Sequence, residues 1–543
     1  MTDQAKLLDK RRAGILLHIT SLPKTWGHGD IGGYEARGFV DFLHESGLSI
    51  WQILPIHPLS STTDLSPYQP QSIHAGNPLL INLRWISSKG WLRQRDQHEL
   101  SVQEEITFRQ QRLRKAHEGF KKETNQEYRE RYAEFKIEQK HWLDDYALFC
   151  ALKDKFTTVE KDKNGEEVPN IPSWWEWPPE FRDRDKNALE NVKNELADNI
   201  DYYCFEQFVF FEQWFELKKY ANDKGVYILG DMPFFMASDS VDVWVNRKYF
   251  LLKEDGTQDF GAGDAPNVRY KDGQFWGNPL YNWASMQADD FSWWKSRFKT
   301  AHQLFDLVRI THFRGFVECC VIPTASKSPS DNRCHSIKSP GETLFTELQK
   351  EFGKDMSRWI AEDIGVRTEF GHVGEVVELR NKFDLIGMKV LQLAFFYLPN
   401  SDKLDLGNWH LPHHHLPNYA VYSGTHDNKT IRDWFNELGD KRDYVYRYLQ
   451  ISEKEQSDEQ KLWQYELWYF IEMVIKSCAK LAIIPMQDIL GLDGNVRMNK
   501  PGTDGKENWV WNYSLSEFED TEKLYGFKVQ EKLTELAKTY ERQ

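Results

Sequence analysis

Residues 305–316, with the sequence FDLVRITHFRGF, decide how the rest of the chain is interpreted. Residues 307–310 are a short, mostly apolar and β-branched run, and this pattern predicts a buried strand. Polar residues, beginning with Thr311 and His312, follow the run immediately. Polar side chains at the end of a buried strand are typical of the rim of an active site.

The pattern of an apolar run closed by a polar residue occurs eight times along the chain. Segments with helical spacing fill most of the intervals, and strands alternating with helices predict an α/β protein with a (β/α)8 TIM barrel. A doubly wound sheet is the alternative, but no glycine-rich phosphate-binding motif follows any run. The eight runs are residues 14–19, 49–55, 226–233, 307–311, 359–363, 388–392, 420–427 and 481–488.

We expect one barrel domain over residues 1–543, with insertions at its C-terminal rim. Residues 100–157 are rich in Glu, Gln, Lys and Arg and contain a single glycine, which predicts helices with a solvated charged face. The tryptophan cluster at residues 174–179 is interpreted as packing against the barrel, with stacking on a ligand as the alternative. The expected insertions are a loop-rich segment at 56–100, a mainly helical subdomain at 100–200, a rim or lid segment at 232–290 and a loop at 393–419.

Composition excludes some classes of partner. The net charge of -14 argues against nucleic acid, whose binding needs a basic surface. The sequence contains no run of 18 apolar residues, which is about the length needed to span a membrane. The apolar stretch after Arg12 is too short for a secretory signal, so we expect a cytoplasmic protein. The aromatic content of 14% suits either a large core or the stacking of sugar rings.

Cysteine and histidine usage predicts no metal site and no disulfide scaffold. The six cysteines lack CxxC spacing. The adjacent pair Cys319 and Cys320 is interpreted as small buried residues, with a redox-active pair as the alternative. The run WHLPHHH at residues 409–415 could hold zinc, but a loop bounded by proline rarely gives tetrahedral geometry.

Several acids close the predicted strands. A pair of carboxyl groups on a barrel rim, one protonated and one ionised, is typical of glycoside chemistry. A purely structural role for each acid is the alternative. The acids are Asp231, Glu362, Asp363, Asp427 and Asp488, and Arg309, His312 and His426 lie beside them in the sequence.

Longer motifs along nearly the whole chain resemble the 4-alpha-glucanotransferases of the amylomaltase, or disproportionating-enzyme, family. These motifs occur in the family's order. They are SPYQ at residues 66–69, AGNPLLI at 75–81, GDMP at 230–233, DSVDVW at 239–244, WGNPLY at 276–281, HFRGF at 312–316, AED at 361–363, GMKVLQ at 387–392, GTHDN at 424–428 and RMNKPGT at 497–503.

The resemblance implies a retaining transfer of a maltooligosaccharyl unit from an α-1,4-glucan to glucose or another glucan. It implies that Glu362 is the acid/base, that Asp427 stabilises the transition state and that Arg309 keeps a neighbouring carboxylate ionised. It implies no cofactor and no metal, and we expect a monomer or a homodimer. The substrate-binding residues that it implies are His426, Asp231, Tyr68, Asn278, Pro279 and Asn428.

The chain departs from the family at the nucleophile, where Thr311 replaces the aspartate of the family motif RIDHFRGF. A threonine hydroxyl is protonated near neutral pH, and the sequence indicates no base beside it. Asp363 is expected to face the opposite side of its strand and so to be a poor substitute. Other departures lie in rim segments, at residues 57–65, 264–269, 319–320 and 369–374.

Two hypotheses follow from these departures. In the first, Thr311 is an engineered or isolated change in a working transferase, and the rim changes retune the choice of acceptor. In the second, it is a catalytically impaired homologue that binds α-glucan or a protein partner.

Overall fold

Eight parallel strands form the centre of the molecule, in the order of the chain. In the computed structural model each strand pairs with the next, β8 pairs with β1, and a bridge between Ile360 and Ile386 joins β5 to the start of β6. The (β/α)8 barrel predicted from the sequence is confirmed. The strands are β1 (Arg12–Leu16), β2 (Ile50–Gln52), β3 (Tyr227–Met232), β4 (Leu307–Ile310), β5 (Trp359–Ala361), β6 (Gly387–Val390), β7 (Tyr419–Tyr422) and β8 (Leu481–Pro485).

The structure describes most of the chain. The described residues are 7–23, 29–61, 64–93, 102–161, 165, 167–265, 273–325, 334–364, 373–395, 404–449, 459–503 and 507–543. Within these ranges, no helix combines the length and the apolar character that crossing a bilayer requires.

Alternation along each strand separates two apolar layers. In β4, Leu307 belongs to the cluster inside the barrel, whereas Val308 and Ile310 belong to the larger cluster beneath the surrounding helices. Successive side chains of a strand point to opposite faces, so the interior set recurs every second residue. This alternation determines which polar residues at the strand ends face the barrel axis.

Helices surround the barrel and also form the segment between β2 and β3. Apolar faces at helical spacing bury them against the strands or against one another. The α-helices of the described residues are Tyr34–Glu45, Leu83–Ser88, Val102–Phe120, Gln126–Glu138, Lys140–Phe156, Pro179–Arg182, Lys186–Glu195, Ala197–Asp223, Val241–Val245, Trp283–Ala288, Ser292–Leu304, Gly341–Phe352, Val373–Lys382, Ile431–Glu437, Arg442–Leu449, Glu459–Lys476, Met486–Ile489, Leu515–Tyr525 and Val529–Thr539.

The predicted helical segment packs through aromatic residues. Helix Ala197–Asp223 carries Phe205 and Phe208, which pack against Phe120 at centroid distances of 5.0 and 6.1 Å. In the tryptophan cluster, Trp174 is fully buried and donates from Nε1 to the carbonyl of Ser238. That contact fits packing rather than stacking on a ligand. The extent of the single domain and of its insertions stays a prediction.

A small antiparallel sheet lies at the C-terminal side of the barrel, in the order 335–338, 318–323, 260–264, 274–275. Its strands are Phe260–Asp264, Gln274–Phe275, Glu318–Pro323 and His335–Lys338, and a separate hairpin pairs Thr158–Lys161 with Glu167–Asn170. Cys320 forms a disulfide with Cys334, while Cys319 is buried and free. The interpretation of both cysteines as small buried residues therefore holds for Cys319 and is wrong for Cys320, because pairing across the sheet brings a distant thiol to it.

Candidate active site

Three neighbouring strands direct polar side chains into the same end of the barrel interior. Leu229, Leu307 and Ile360 all belong to the interior cluster. Because side chains alternate along a strand, residues two or four positions later face the same interior. Those residues are Asp231 after Leu229, Arg309 and Thr311 after Leu307, and Glu362 after Ile360.

Arg309 is the cation at the centre of this group, and its side chain is 1% exposed. Its Nη1 forms an ion pair with Asp231, and its Nη2 lies 2.6 Å from Oε1 of Glu362. The hydroxyl of Tyr68 donates to Oδ2 of Asp231 at 2.7 Å. Two carboxylates therefore share one guanidinium, which compensates part of the cost of burying their charges.

Thr311 is tied directly to this network. Its Oγ1 donates to Oδ1 of Asp231 at 2.7 Å and accepts from Nη1 of Arg309 at 3.1 Å. The expectation that no base lies beside Thr311 is wrong. Asp231 lies 80 positions earlier in the chain, and only the parallel pairing of β3 with β4 brings the two residues together.

Asp231 is fully buried, with a side chain that is 0% exposed, whereas Thr311 is half-buried. Tyr68 and Thr311 both donate to its carboxylate. Its burial argues against the direct contact with substrate that the resemblance implied. Its carboxylate instead contacts the hydroxyl groups of Tyr68 and Thr311.

Glu362 receives two donors and stays partly accessible. Besides Arg309, the backbone N–H of His312 donates to its Oε2 at 2.6 Å, and its side chain is 14% exposed. His312 has a left-handed backbone, with φ at 49°, and such a conformation is uncommon for a residue other than glycine. The turn begins a short 3₁₀ helix, Phe313–Phe316, directly after the strand.

Burial raises the pKa of Glu362 above its ordinary value, and the nearby charges of Asp427 and Asp231 act in the same direction. Arg309 and the N–H of His312 oppose this rise. A carboxyl group with a raised pKa keeps its proton at higher pH, as a general acid requires. The electrostatics therefore suit Glu362 to protonating a leaving oxygen.

Asp427 lies on the loop after β7 and is held by the C-terminal part of the chain. The side-chain amide of Asn499 donates to its Oδ1 at 2.6 Å, and Nε2 of His426 lies 3.4 Å from its Oδ2. The Asp427 side chain is 33% exposed, so a substrate can reach it. Burial lowers the pKa of His426, which favours the neutral imidazole.

An aromatic wall adjoins these carboxylates. The ring of Tyr68 stacks on His426 at a centroid distance of 5.2 Å and an interplanar angle of 15°. Trp509 lies against both rings, at 5.7 and 5.9 Å. Flat apolar rings beside carboxylates are a surface that a sugar ring can lie against.

Three of the residues that the resemblance implied as substrate-binding make structural contacts. Asn278 is 3% exposed, and its Nδ2 donates to Oε1 of Gln69 and to the carbonyl of Met236. Pro279 is buried beside it. Oδ1 of Asn428 accepts from the backbone and hydroxyl of Thr425. Their roles in binding substrate stay predictions.

Two further acids at strand ends do not face the site. Asp363 points away from Glu362, as expected, and pairs with Arg380 at 2.6 Å. Asp488 is 1% exposed and accepts from the hydroxyl of Ser423 and the N–H of Ile431. Both carboxylates hold neighbouring elements of the barrel together.

Metal ligands do not converge at the histidine run. Nδ1 of His413 contacts the hydroxyl of Tyr448, and Nδ1 of His415 contacts Oγ of Ser477. Across the described ranges, a single group brings three ligand atoms together, namely His117, Glu118 and Asp198. Lys121 forms ion pairs with both of its acids, which makes the group an ordinary salt-bridge cluster.

Sequence reasoning missed the contributions of Asn499, Trp509 and the backbone of His312. Asn499 lies inside the quoted motif at residues 497–503, but only its contact with Asp427 indicates a role. Trp509 was not proposed as a site residue from the sequence, although the segment ENWVW at residues 507–511 is rich in aromatic residues. The departures at residues 266–269 and 369–372 lie outside the described residues.

Comparisons with known proteins match nearly the whole chain. A model of the family described as 4-alpha-glucanotransferase matches residues 17–516. The chain is 38% identical over 507 residues to a 4-alpha-glucanotransferase of Aquifex aeolicus, covering 92% of this chain and 95% of that protein. It is 38% identical over 511 residues to a 4-alpha-glucanotransferase of Thermus thermophilus, covering 92% and 94%.

The fold is also similar to a solved amylomaltase. The structure of the Streptococcus agalactiae amylomaltase in complex with acarbose superposes with a TM-score of 0.84 at 31% identity, over 98% of this chain and 100% of that chain. Similarity over the full length includes the strands that carry the site. It therefore concerns the whole barrel rather than a shared motif.

Proposed function

Because the chain belongs to the 4-alpha-glucanotransferase family, we propose that it transfers a maltooligosaccharyl unit from one α-1,4-glucan to glucose or to another glucan. The observation that carries the proposal is the convergence of Glu362, Asp427, Arg309 and Tyr68 at one end of the barrel interior. Retaining glycoside chemistry needs an acid/base, a nucleophile and contacts for the sugar ring. This group supplies candidates for the acid/base and for the sugar contacts, and Thr311 occupies the position of the nucleophile.

Glu362 acts as the acid/base in this proposal. Its raised pKa supports the first half of the reaction, in which it protonates the oxygen of the departing glucan. Once it has lost that proton, its carboxylate can accept the proton of the incoming hydroxyl. Arg309 then stabilises the ionised form, because its Nη2 lies 2.6 Å away.

Asp427 stabilises the positive charge that develops on the sugar ring. Its partly exposed carboxylate is fixed by Asn499, so little reorganisation is needed when the transition state forms. His426 and Tyr68 form the face on which the sugar lies. These residue assignments are the proposal's own, and each predicts a loss of turnover on substitution.

Incubation with maltotriose tests the function directly. We expect release of glucose together with oligomers longer than maltotriose, followed by chromatography. The matched control is Glu362→Gln, which keeps the shape of the side chain and removes the proton. Glucose without longer oligomers would indicate hydrolysis rather than transfer, and no products from either Thr311→Asp or the unmodified chain would count against the function.

Thr311 supports a second candidate function, in which the chain binds α-glucan without turning it over. The names of relatives that match more than nine-tenths of the chain weigh against this function. If the chain only binds glucan, maltooligosaccharides would raise the melting temperature while no product formed. At a ligand concentration of a hundred times Kd, the free energy of unfolding would increase by about 2.7 kcal/mol. Turnover of maltotriose would exclude it.

We also propose a cytoplasmic location. The free cysteines Cys150, Cys204 and Cys319 support it, whereas the disulfide between Cys320 and Cys334 weighs against it. Cell fractionation followed by immunodetection tests it, and recovery in the extracellular fraction would contradict it. The expected monomer or homodimer stays a prediction, which analytical ultracentrifugation checks.

A further inference from the structure

The hydroxyl of Thr311 is oriented by two neighbours. It donates its hydrogen to Asp231 at 2.7 Å and accepts from Arg309 at 3.1 Å. A hydroxyl carries one hydrogen and two lone pairs, so these contacts leave one lone pair over. Thr311 is half-buried at the end of β4, so its side chain is partly accessible at the rim of the barrel.

Asp231 cannot itself reach a substrate. Its side chain is 0% exposed, and its Oδ2 is occupied by Tyr68 and Arg309. Its Oδ1 has the hydroxyl hydrogen of Thr311 as its partner. The chemistry open to this carboxylate is therefore to accept and return that proton.

We propose that Thr311 is the nucleophile of this chain and that Asp231 is its general base. The proposal rests on the proposed function, since it concerns the first bond made during glucan transfer. It assigns a covalent role to the residue that departs from the family motif.

In the first step, Oγ1 of Thr311 attacks the anomeric carbon of the donor glucan. Its proton passes to Asp231, and the electron pair of the broken C1–O bond goes to the departing oxygen, which takes a proton from Glu362. In the second step, the acceptor's hydroxyl gives its proton to Glu362 and attacks the same carbon. Oγ1 of Thr311 leaves and regains its proton from Asp231. Two inversions give overall retention, and no other reactant is needed.

A hydroxyl assisted by a carboxylate is already required in the second half of the reaction. There the acceptor's hydroxyl attacks with Glu362 as the base. The proposal places an equivalent pair on the opposite face of the sugar. Arg309 acts on both members of the pair, because its Nη1 contacts both: its charge stabilises the negative charge that develops on Oγ1 as the proton leaves, and it makes Asp231 a weaker base.

The proposed intermediate suits a transferase, and its chemistry predicts slow turnover. A glycosylated threonine is an acetal, like the glucan bond that is exchanged, so its formation changes the free energy little. An alcohol is a poorer leaving group than a carboxylate, so the second step is slower than in an enzyme with an aspartate nucleophile.

Variants of Thr311 that conserve its size test the proposal. Thr311→Val keeps the shape and removes the hydroxyl, and we expect loss of about 10³-fold or more in kcat with maltotriose. Thr311→Ser keeps the hydroxyl and should retain turnover within about 30-fold of the unmodified chain. Asp231→Asn removes the base and should lower kcat comparably, with circular dichroism and Tm reporting whether the buried site still folds.

Direct detection of the intermediate is the decisive measurement. A maltosyl fluoride donor needs no acid to release fluoride, so Glu362→Gln should form the adduct and lack the base that resolves it. We expect mass spectrometry of digested protein to find a maltosyl group on the peptide that contains Thr311. The matched control is the double variant Thr311→Val, Glu362→Gln, in which the adduct should be absent.

The outcomes separate this proposal from the function on which it rests. Turnover by Thr311→Val close to that of the unmodified chain, or an adduct on another residue, would overturn the nucleophile and leave the transferase intact. If the unmodified chain is inactive and the Thr311→Asp variant is active, Thr311 is not a nucleophile, but the rest of the site is that of a transferase. Inactivity of both would overturn both proposals.

Discussion

Nη2 of Arg309 lies 2.6 Å from Oε1 of Glu362, and this ion pair joins the end of β4 to the end of β5. The other terminal nitrogen of the same guanidinium serves Asp231 and Thr311. One buried cation thus connects the proposed acid/base, Glu362, with the proposed nucleophile, Thr311. A change of charge at Glu362 is therefore expected to alter the electrostatics of Asp231 and Thr311, and a change at Asp231 to alter those of Glu362.

The pH dependence of turnover should report the pKa of Glu362. Burial raises this pKa, so the acid keeps its proton at a pH where an ordinary glutamate is ionised, and kcat should fall as the pH rises through the raised value. Asp427→Asn removes a negative charge that contributes to the rise. The alkaline limb of its residual activity should therefore move to lower pH, whereas an unchanged limb would assign that limb to another group.

Restoring the family's carboxylate should accelerate turnover. We expect Thr311→Asp to raise kcat with maltotriose by about 10³-fold, because a carboxylate is both ionised at neutral pH and a better leaving group than an alcohol. Thr311→Asn, which has nearly the same shape without the charge, is the control and should show no gain. If Thr311→Asp brings no gain, other residues of the rim limit the reaction.

Asn499 should position Asp427. Asn499→Ala removes the donor at 2.6 Å, and we expect kcat to fall by about 10²-fold with a smaller change in KM, since the carboxylate acts mainly in the transition state. Asn508→Ala is the control, because Asn508 is half-buried and its hydrogen bonds go to Lys500 and Thr503 of the same segment. Equal losses in both variants would indicate a general effect on the segment instead.

Asp488 should make the protein less stable as the pH rises. Burial raises the pKa of Asp488 to about 7, so between the unfolded value near 3.8 and that pH the folded chain holds a proton that the unfolded chain has released. The contribution of Asp488 to the free energy of unfolding is therefore fully present below the unfolded pKa of 3.8. It is lost, by up to about 4 kcal/mol, as the pH rises through the folded pKa of about 7.

Asp488→Asn should remove this dependence. Its amide can accept from Ile431 and donate to Ser423 without a charge, so we expect a higher Tm than the unmodified protein at pH 8 and a smaller difference at pH 5. Asp520→Asn changes an acid whose side chain is 73% exposed and should leave the pH dependence as it was. Parallel Tm curves for all three proteins would contradict the role of Asp488.

Strand and helix patterns were readable in the sequence because they are local. Each barrel strand, such as Leu307–Ile310, is an apolar run of a few residues, and each surrounding helix shows its own apolar spacing. The strand parity that turns Glu362 inward and Asp363 outward follows from the same alternation. Disulfide pairing was not readable, because Cys320 and Cys334 meet only when two rim strands pair.

The sequence alone determined the barrel, the family motifs and the departure at Thr311, since all three depend on residue type and order along the chain. Tertiary structure alone decided what surrounds Thr311. Asp231, Arg309 and Tyr68 reach one another from separate strands and loops, and Asn499 reaches Asp427 from 72 positions away. Closure of the barrel puts these strand ends on one rim, and the distances there determine whether a hydroxyl has a base beside it.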